Sequence, residues 1–273
     1  MTTDGLLQLH TLRRGAPGTI PLVLLHGFPL DHRMWLDVTD LLAGDPTVLA
    51  PDLPGFGVSP TGPDVAQTVG GAGPSIDVMA DGVAATLRAS GVDHAVVAGL
   101  SMGGYVAMAL VERHPDLVAG LALLDTKATV DADGARARRL EIADTVEADN
   151  TIEAVLGMRS ALLGVSNRSA RPDLVERLEE WIRDQGAAAV AWAQRAMAVR
   201  PDRTGALAAF AGPAVVVVGE EDELAPLDAA RHMVASLHDA GLVVVPGSGH
   251  MTTIENPEPV AAALTALRGR VGG

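Results

Sequence analysis

The chain has 273 residues, 48% of them hydrophobic, which suits one large α/β domain or a domain that carries an insertion. Its formal net charge of -14 disfavours nucleic acid and anionic membranes as partners. The absence of cysteine excludes disulfides, thiolate metal sites and a cysteine nucleophile. Residues 1–18 lack a signal-peptide pattern, and every apolar run falls short of the roughly 18 residues of a membrane helix, so we expect a soluble, cytoplasmic protein.

Short apolar runs that end in turn residues predict the strands of an α/β fold. Six of them are nearly continuous, at residues 21–27, 47–52, 94–100, 117–125, 214–219 and 242–247. Such runs are typical of strands buried on both faces of a parallel sheet. The run at 5–12 alternates between apolar and polar residues more clearly, and it predicts an antiparallel edge strand.

Helical patterns lie between these runs, as a fold of alternating strands and helices requires. They cover residues 31–44, 75–91, 102–115, 225–241 and 256–269. Asp31 is the expected N-cap of the first helix and Gly44 its expected end, while Gly91 should end the second. Residues 59–75 are rich in glycine and proline and predict a surface loop.

The alternation of strands and helices stops between about residues 127 and 212. This segment is rich in Ala, Glu and Arg and shows helical patterns but no convincing strand. We therefore predict a core formed by residues 1–126 and 213–273, with a helical cap at 127–212 over the sheet. Trp181 and Trp192 could line a pocket under this cap, but their helical spacing favours packing within it.

The sequence GLSMG, residues 99–103, places Ser101 where a predicted strand becomes a predicted helix. This is the G-x-S-x-G pattern of a nucleophile elbow, in which glycines permit a strained turn and close strand–helix packing. The backbone N–H of Met102 would then face a developing oxyanion. The motif alone also fits a glycine-rich turn with a bystander serine; the flanking strand and helix favour the nucleophile.

A serine nucleophile needs a base, and His250 is the candidate because it follows the last apolar run, on a loop at a strand end. His232 and His238 fall within a predicted helix, at a spacing typical of a solvated face. A second oxyanion donor should come from the loop of LLHGFP, residues 24–29, where we expect the N–H of Phe28. The nearby segment 31–33 (Asp-His-Arg) could contact an acidic substrate, although capping and solvation explain it equally well.

Several carboxylates could orient the base. We prefer Asp222, because it lies beyond the end of the strand at 214–219, where it can turn toward the histidine loop. Glu220 and Glu221 fit a solvated acidic turn. Asp125, at the end of another strand, is the alternative acid.

The segments HGFP, PDLPGFGVS, GLSMGGYVA, GEED and GSGH follow one another as in the α/β-hydrolase superfamily, which the chain resembles over essentially its whole length. HGFPLDHRMW and SMGG resemble a subgroup of 3-oxoadipate enol-lactonases, small carboxylesterases and cofactor-free haloperoxidases. The resemblance implies a mostly parallel eight-stranded sheet with an inserted helical cap. It further implies Ser101 as nucleophile, His250 as general base and acid, Asp222 as orienting carboxylate, and oxyanion donors at Phe28 and Met102.

The implied reaction is hydrolysis of a small ester or lactone through an acyl-enzyme, without a metal or organic cofactor. Perhydrolysis, in which hydrogen peroxide replaces water, uses the same triad and is an alternative. An alternative of another class is a non-catalytic ligand-binding protein on the same scaffold.

Overall fold

The computed structural model describes residues 5–271, and a seven-stranded sheet forms its centre. The strands are β1 (Leu9–Arg13), β2 (Leu22–Leu25), β3 (Val48–Pro51), β4 (Ala95–Leu100), β5 (Val118–Leu124), β6 (Ala214–Gly219) and β7 (Ala240–Val245). Their spatial order is β1-β3-β2-β4-β5-β6-β7. β1 pairs with β3 in antiparallel fashion and every other neighbouring pair is parallel. The predicted parallel sheet with an antiparallel edge strand is therefore confirmed.

The number of strands differs from the eight implied by the resemblance. Each apolar run of the sequence forms one strand, which accounts for all seven strands within residues 5–271. Between β1 and β2 the chain makes a turn in which Gly18 has a φ of 81°. This turn leads directly from the edge strand into the sheet interior, so no further strand forms there.

Helices follow the strands and cover the sheet. They are α1 (Leu36–Leu41), α2 (Gly62–Val69), α3 (Ile76–Ala89), α4 (Met102–Arg113), α5 (Asp133–Asp149), α6 (Glu153–Leu156), α7 (Met158–Ala161), α8 (Val165–Ala170), α9 (Pro172–Arg183), α10 (Ala187–Ala198), α11 (Thr204–Ala209), α12 (Leu227–Ser236), α13 (Thr252–Glu255) and α14 (Pro257–Val271). Strands β2, β3, β4 and β6 are buried along their whole length, as their continuous apolar sequences predict. Within residues 5–271, no helix combines the length and apolar character needed to cross a membrane.

Residues 127–212 contain α5 to α11 and no strand, in agreement with the helical pattern of this segment. The division of the chain into a core and a cap stays a prediction. α12 ends at Ser236, so His238 lies in the bend before β7 and not within a helix as predicted. β7 starts at Ala240, earlier than the apolar run suggests, and the connection to it is correspondingly short.

The prediction of a surface loop at 59–75 is wrong, because α2 occupies much of this segment. The Thr61 side chain accepts a hydrogen bond from the Asp64 N–H and caps the helix, and Pro63 lies in its first turn. Gly70 ends the helix with a φ of 73°. The glycine and proline residues that suggested a loop are thus the start and stop signals of a short helix.

Two predicted helix boundaries are confirmed by the local geometry. The Asp31 carboxylate accepts a hydrogen bond of 3.0 Å from the Arg33 N–H and caps the 3-10 turn His32–Trp35, which leads into α1. Gly91 follows the C-cap of α3 with a φ of 77°. Gly44 also has a positive φ, of 75°, but α1 has already ended at Leu41.

Candidate active site

Ser101 lies between the last residue of β4 and the first residue of α4, in a strained conformation. Its φ of 53° and ψ of -111° are unusual for a residue that carries a Cβ. The Ser101 N–H donates to the Leu124 carbonyl over 2.9 Å, and the Thr126 hydroxyl donates to the Ser101 carbonyl over 2.8 Å. The last residue of β5 and the segment just after it therefore hold the serine backbone at both its N–H and its carbonyl.

The glycines around Ser101 allow the backbone to pass at very short range. A Cβ on Gly99 would lie 2.2 Å from the Gly103 carbonyl oxygen, and a Cβ on Gly103 would lie 2.2 Å from the Leu25 carbonyl oxygen. A Cβ on Gly104 would approach the Thr126 side chain to 2.6 Å. Strand β2, strand β4 and helix α4 can meet at this turn because these positions carry no side chain.

His250 joins Ser101 to Asp222. Its Nε2 lies 2.8 Å from the Ser101 Oγ, and its Nδ1 lies 2.8 Å from the Asp222 Oδ2. The other carboxylate oxygen of Asp222 accepts hydrogen bonds from the N–H groups of Leu224 and Ala225 over 2.8 and 3.0 Å. The structure thus brings together the three residues predicted from the ends of β4, β6 and β7.

The protonation of this chain of groups follows from the Asp222 environment. Burial opposes ionisation, but the His250 charge and the hydrogen bonds outweigh it, so the pKa of Asp222 lies below its ordinary value. The ionised Asp222 carboxylate accepts a hydrogen bond from the N–H at His250 Nδ1. His250 Nε2 is then an acceptor, and the Ser101 hydroxyl donates to it.

Asp125, the alternative acid, has other partners. Its Oδ1 accepts from the Gly219 N–H over 2.9 Å, and its Oδ2 lies 2.5 Å from the Thr252 hydroxyl. Complete burial and the nearby negative charge of Asp222 raise the pKa of Asp125 well above its ordinary value. Asp125 therefore joins three strand-end loops through these contacts and does not contact His250.

The predicted oxyanion donors flank Ser101. Phe28 and Ser101 both line the same cavity, and a Cβ added to the adjacent Gly27 would lie 3.6 Å from the Ser101 Cβ. Met102 is the first residue of α4, where the helix supplies no acceptor for its N–H. Within residues 5–271, neither the Phe28 nor the Met102 N–H has a protein acceptor.

His26 supports the Phe28 loop and was not singled out from the sequence. Its Nε2 accepts from the Leu53 N–H over 2.8 Å, and its Nδ1 lies 3.0 Å from the Gly27 carbonyl oxygen. Complete burial lowers the pKa of His26, so the ring is neutral. The available signal was a histidine directly after a fully apolar strand, where a buried ring needs two partners.

Glu255 is a second functional candidate that sequence reasoning missed. Its Oε1 accepts from the N–H groups of Gly249 and Met251, which flank His250, over 2.9 and 3.2 Å. Its Oε2 accepts from the Gly164 N–H over 2.8 Å and from the Asn167 amide over 2.7 Å. This buried carboxylate therefore ties the histidine loop to the helical segment; the signal was a single charge after the uncharged residues 251–254.

The loop of Asp222 is tied to the same helical segment. Glu221 accepts from the Ser166 N–H over 2.8 Å and from the Ser166 hydroxyl. Glu220 accepts from the Gly247 N–H over 3.1 Å. Neither carboxylate contacts His250, in line with the preference for Asp222.

A cavity of about 610 Å³ lies at Ser101 and His250. Its apolar lining includes Phe28, Ile142, Met158, Leu162, Met197 and Leu224. Its polar lining includes Lys127, Asp131, Arg138, Arg139, Gln194 and Glu223, of which Glu223 pairs with Arg168 over 3.0 Å. Most of these residues belong to the helical segment 127–212, which therefore forms much of the cavity wall.

Trp181 and Trp192 lie away from the cavity lining and pack within the protein. A Cβ on Gly62 would approach the Trp192 ring to 2.4 Å, and the guanidinium carbons of Arg33 and Arg177 lie 5.8 and 5.2 Å from the Trp181 ring centroid. This agrees with the packing role that their spacing favoured.

The segment 31–33 also has structural partners. Arg33 pairs with Asp31 over 2.7 Å, and His32 Nδ1 lies 2.8 Å from Asp52. His10 stacks on His32 with a centroid separation of 3.5 Å and also contacts Asp52. His10, His32 and Asp52 place potential metal ligands within 4.8 Å of one another, but their mutual contacts already satisfy the buried carboxylate.

Comparisons with known proteins agree with this architecture. The sequence pattern of the alpha/beta hydrolase fold family matches residues 20–257. A pimeloyl-[acyl-carrier protein] methyl ester esterase of Chromobacterium violaceum is 30% identical over 247 residues, which are 89% of this chain and 92% of that protein. A 2-succinyl-6-hydroxy-2,4-cyclohexadiene-1-carboxylate synthase of Enterobacter is 31% identical over 93% of this chain and 94% of its own length.

Solved structures show the same arrangement. A thermophilic esterase from Thermogutta terrifontis, solved with malate bound, is 32% identical with a TM-score of 0.88, over 98% of this chain and 94% of its own. The enol-lactonase from Burkholderia xenovorans shares the fold at 21% identity with a TM-score of 0.81, over 97% and 98% of the two chains. The chain therefore belongs to the alpha/beta hydrolase family, and it is an enzyme of the ester-hydrolase class.

Proposed function

We propose that this enzyme hydrolyses a small carboxylic ester or lactone through an acyl-enzyme on Ser101. The observation that carries this proposal is the pair of 2.8 Å contacts that link the Ser101 hydroxyl, His250 and the Asp222 carboxylate beside a cavity. Nucleophile, base and orienting acid are within hydrogen-bond reach of one another, as acyl transfer requires.

In the acylation step, the Ser101 Oγ attacks the ester carbonyl carbon as His250 Nε2 accepts the hydroxyl proton. The carbonyl oxygen becomes an oxyanion and accepts hydrogen bonds from the N–H groups of Phe28 and Met102. The ionised Asp222 stabilises the imidazolium through Nδ1. When the tetrahedral intermediate collapses, the bond to the alcohol oxygen breaks and His250 returns the proton to that oxygen.

Deacylation repeats these events with water. His250 Nε2 accepts a proton from the water as its oxygen attacks the acyl carbon, and the oxyanion again forms between the two N–H groups. Collapse breaks the bond to the Ser101 Oγ, which regains the proton from His250. The acid is released, and the free serine is restored. For a lactone, the alcohol stays part of the acyl chain throughout, and deacylation releases a single hydroxy acid.

The helical segment 127–212 acts in this proposal as the cap that selects the substrate. It contributes Lys127, Asp131, Ile142 and Met158, among others, to the cavity wall. Two relatives support an ester substrate, since one is named a methyl ester esterase and the other a thermophilic esterase. The similarity to an enol-lactonase shows the shared fold, and a lactone fits the same site chemistry.

The test is the Ser101→Ala variant with p-nitrophenyl acetate and butyrate. We expect kcat/KM to fall by at least about 1,000-fold, because the nucleophile is lost, with an almost unchanged melting temperature. Ser236→Ala, a serine on α12 outside the cavity lining, is the control and should retain activity. Persistent hydrolysis by Ser101→Ala would contradict the mechanism.

A further inference from the structure

The cavity wall contains a cluster of basic residues around one carboxylate. Asp131 Oδ1 lies 3.1 Å from Lys127 Nζ, and its Oδ2 lies 2.6 Å from Arg139 Nε. Arg200 approaches the same carboxylate with contacts of 2.7 and 3.0 Å and stacks over Tyr105 at 4.1 Å. Three cations therefore share a single buried acceptor group.

The charges in this cluster do not cancel. Burial opposes ionisation of Asp131, but the hydrogen bonds and charges of Arg200 and Arg139 outweigh it and hold the pKa of Asp131 below its ordinary value. One ionised carboxylate opposes three cations, which leaves a net positive charge of two. One carboxylate cannot neutralise three cations, and we call Lys127 and Arg139 the surplus cations because they line the cavity whereas Arg200 does not.

The surplus cations face the cavity and retain free donors. Lys127 and Arg139 both line the cavity, with 25% and 22% of their side chains exposed. Asp131 is the described partner of the Lys127 ammonium, which has three N–H donors. Arg138 also lines the cavity and forms no ion pair within residues 5–271. The positive wall stands out in a chain whose net charge is -14.

The cationic residues of the cavity wall and the reacting Ser101 line the same cavity. Lys127 directly follows Thr126, whose hydroxyl donates to the Ser101 carbonyl. Apolar side chains, including Ile142, Met158 and Leu162, line other parts of the same cavity. The cavity thus offers a reactive serine, an apolar surface and a cationic surface to one small ligand.

We propose that the substrate carries a free carboxylate in addition to its ester or lactone group, and that Lys127 and Arg139 bind this carboxylate, with Arg138 adding positive charge at the same wall. This inference rests on the proposed function and specifies its substrate class. A carboxylate supplies the negative charge and the acceptor oxygens that the cluster lacks. Hydrogen bonds to such charged partners change affinity by about tenfold to a hundredfold.

The test compares pairs of esters that differ only in charge. In one pair the charge is on the acyl side: the p-nitrophenyl monoester of adipic acid and the same ester with a terminal carboxamide. In the other pair it is on the alcohol side: the butyrate esters of 4-hydroxybenzoate and 4-hydroxybenzamide. We expect the carboxylate ester of at least one pair to have a kcat/KM at least about tenfold higher than its carboxamide partner.

Variants assign this preference to the cluster. Lys127→Gln should lower the carboxylate-to-carboxamide ratio of kcat/KM by at least about threefold, because Arg139 and Arg138 remain. Arg136→Gln removes an equal charge from an exposed position on the same helix as Arg138, outside the cavity lining, and should leave the ratio unchanged. A ratio near one for the wild-type enzyme in both pairs, or a ratio that Lys127→Gln and Arg136→Gln change equally, would overturn the proposal.

A binding experiment separates this proposal from the catalytic mechanism. Calorimetry with Ser101→Ala should show binding of adipate at least about tenfold tighter than binding of adipamide, and Lys127→Gln in the same background should reduce the difference. Equal binding of the two compounds overturns the anion site whether or not esters are hydrolysed. If the enzyme hydrolyses the carboxylate and carboxamide esters at equal rates, the proposed ester hydrolysis stands and only the carboxylate-binding site is overturned.

Discussion

Replacing Glu255 with glutamine tests whether this carboxylate positions His250. The side chain keeps its size, but one carboxylate oxygen becomes an NH₂ group. In the wild-type protein, Oε1 accepts hydrogen bonds from the two N–H groups that flank His250. Oε2 accepts hydrogen bonds from the Gly164 N–H and the Asn167 amide. Either orientation of the amide therefore places its NH₂ group against two donors.

The expected magnitude follows from these contacts. A buried donor without a partner costs about 1–3 kcal/mol, so Glu255→Gln should lower the free energy of unfolding by about 2–4 kcal/mol. Displacement of the His250 loop should also lower kcat by about tenfold to a hundredfold, because catalysis depends on sub-ångström placement of the base.

The assay is urea denaturation combined with p-nitrophenyl ester kinetics. Glu258→Gln is the control, since this exposed residue lies a few positions further along the chain, in the first turn of α14, and its replacement should change the free energy of unfolding by less than about 0.5 kcal/mol. If Glu255→Gln matched the wild-type enzyme in both stability and kcat, the positioning role of Glu255 would be refuted.

Three further predictions concern the two acids and the serine turn. Asp222→Asn should lower kcat by about three to four orders of magnitude in ester kinetics, whereas Asp125→Asn should retain most activity; the reverse result would make Asp125 the acid. The folded-state pKa of Asp125 is raised, so its stabilising contribution is present at low pH and is lost as pH rises through that pKa. In urea denaturation, Asp125→Asn should therefore gain stability relative to wild type as pH rises, and an unchanged difference across pH would contradict this. Gly103→Ala should lower the melting temperature strongly, because its Cβ would lie 2.2 Å from a carbonyl oxygen, whereas Gly134→Ala, in open space on α5, should leave it equal or slightly higher.

The order of elements and the location of the candidate site could be predicted because both depend on local sequence. Buried parallel strands leave continuous apolar runs, and the residues that follow them gather at one edge of the sheet. Ser101 and Asp222 follow such buried strands, whereas His250 follows β7, an edge strand that is largely exposed despite its apolar sequence. The preference for Asp222 over Asp125 rested on position alone, and the structure adds that Asp222 contacts His250 whereas Asp125 contacts Gly219 and Thr252.

Other features depend on contacts between distant residues and leave little trace in sequence. Glu255 gains its role from backbone donors that come from two separate segments. Asp131 forms ion pairs with the basic residues at positions 127, 139 and 200, which come together only in the folded chain. Helix α2 was not predicted because the glycine and proline residues at its boundaries are also typical of loops. The expected count of eight strands came from the family resemblance, whereas the apolar runs of the sequence indicate seven.

The central claim is that Ser101 is a nucleophile activated by His250, and covalent labelling tests it most directly. A fluorophosphonate probe should add once to the wild-type protein, and peptide mass spectrometry should locate the adduct on Ser101. The adduct should be absent from Ser101→Ala and should form far more slowly in His250→Ala, with both variants folded by circular dichroism. Unlabelled wild-type protein, or an adduct on another residue that persists in Ser101→Ala, would contradict the account.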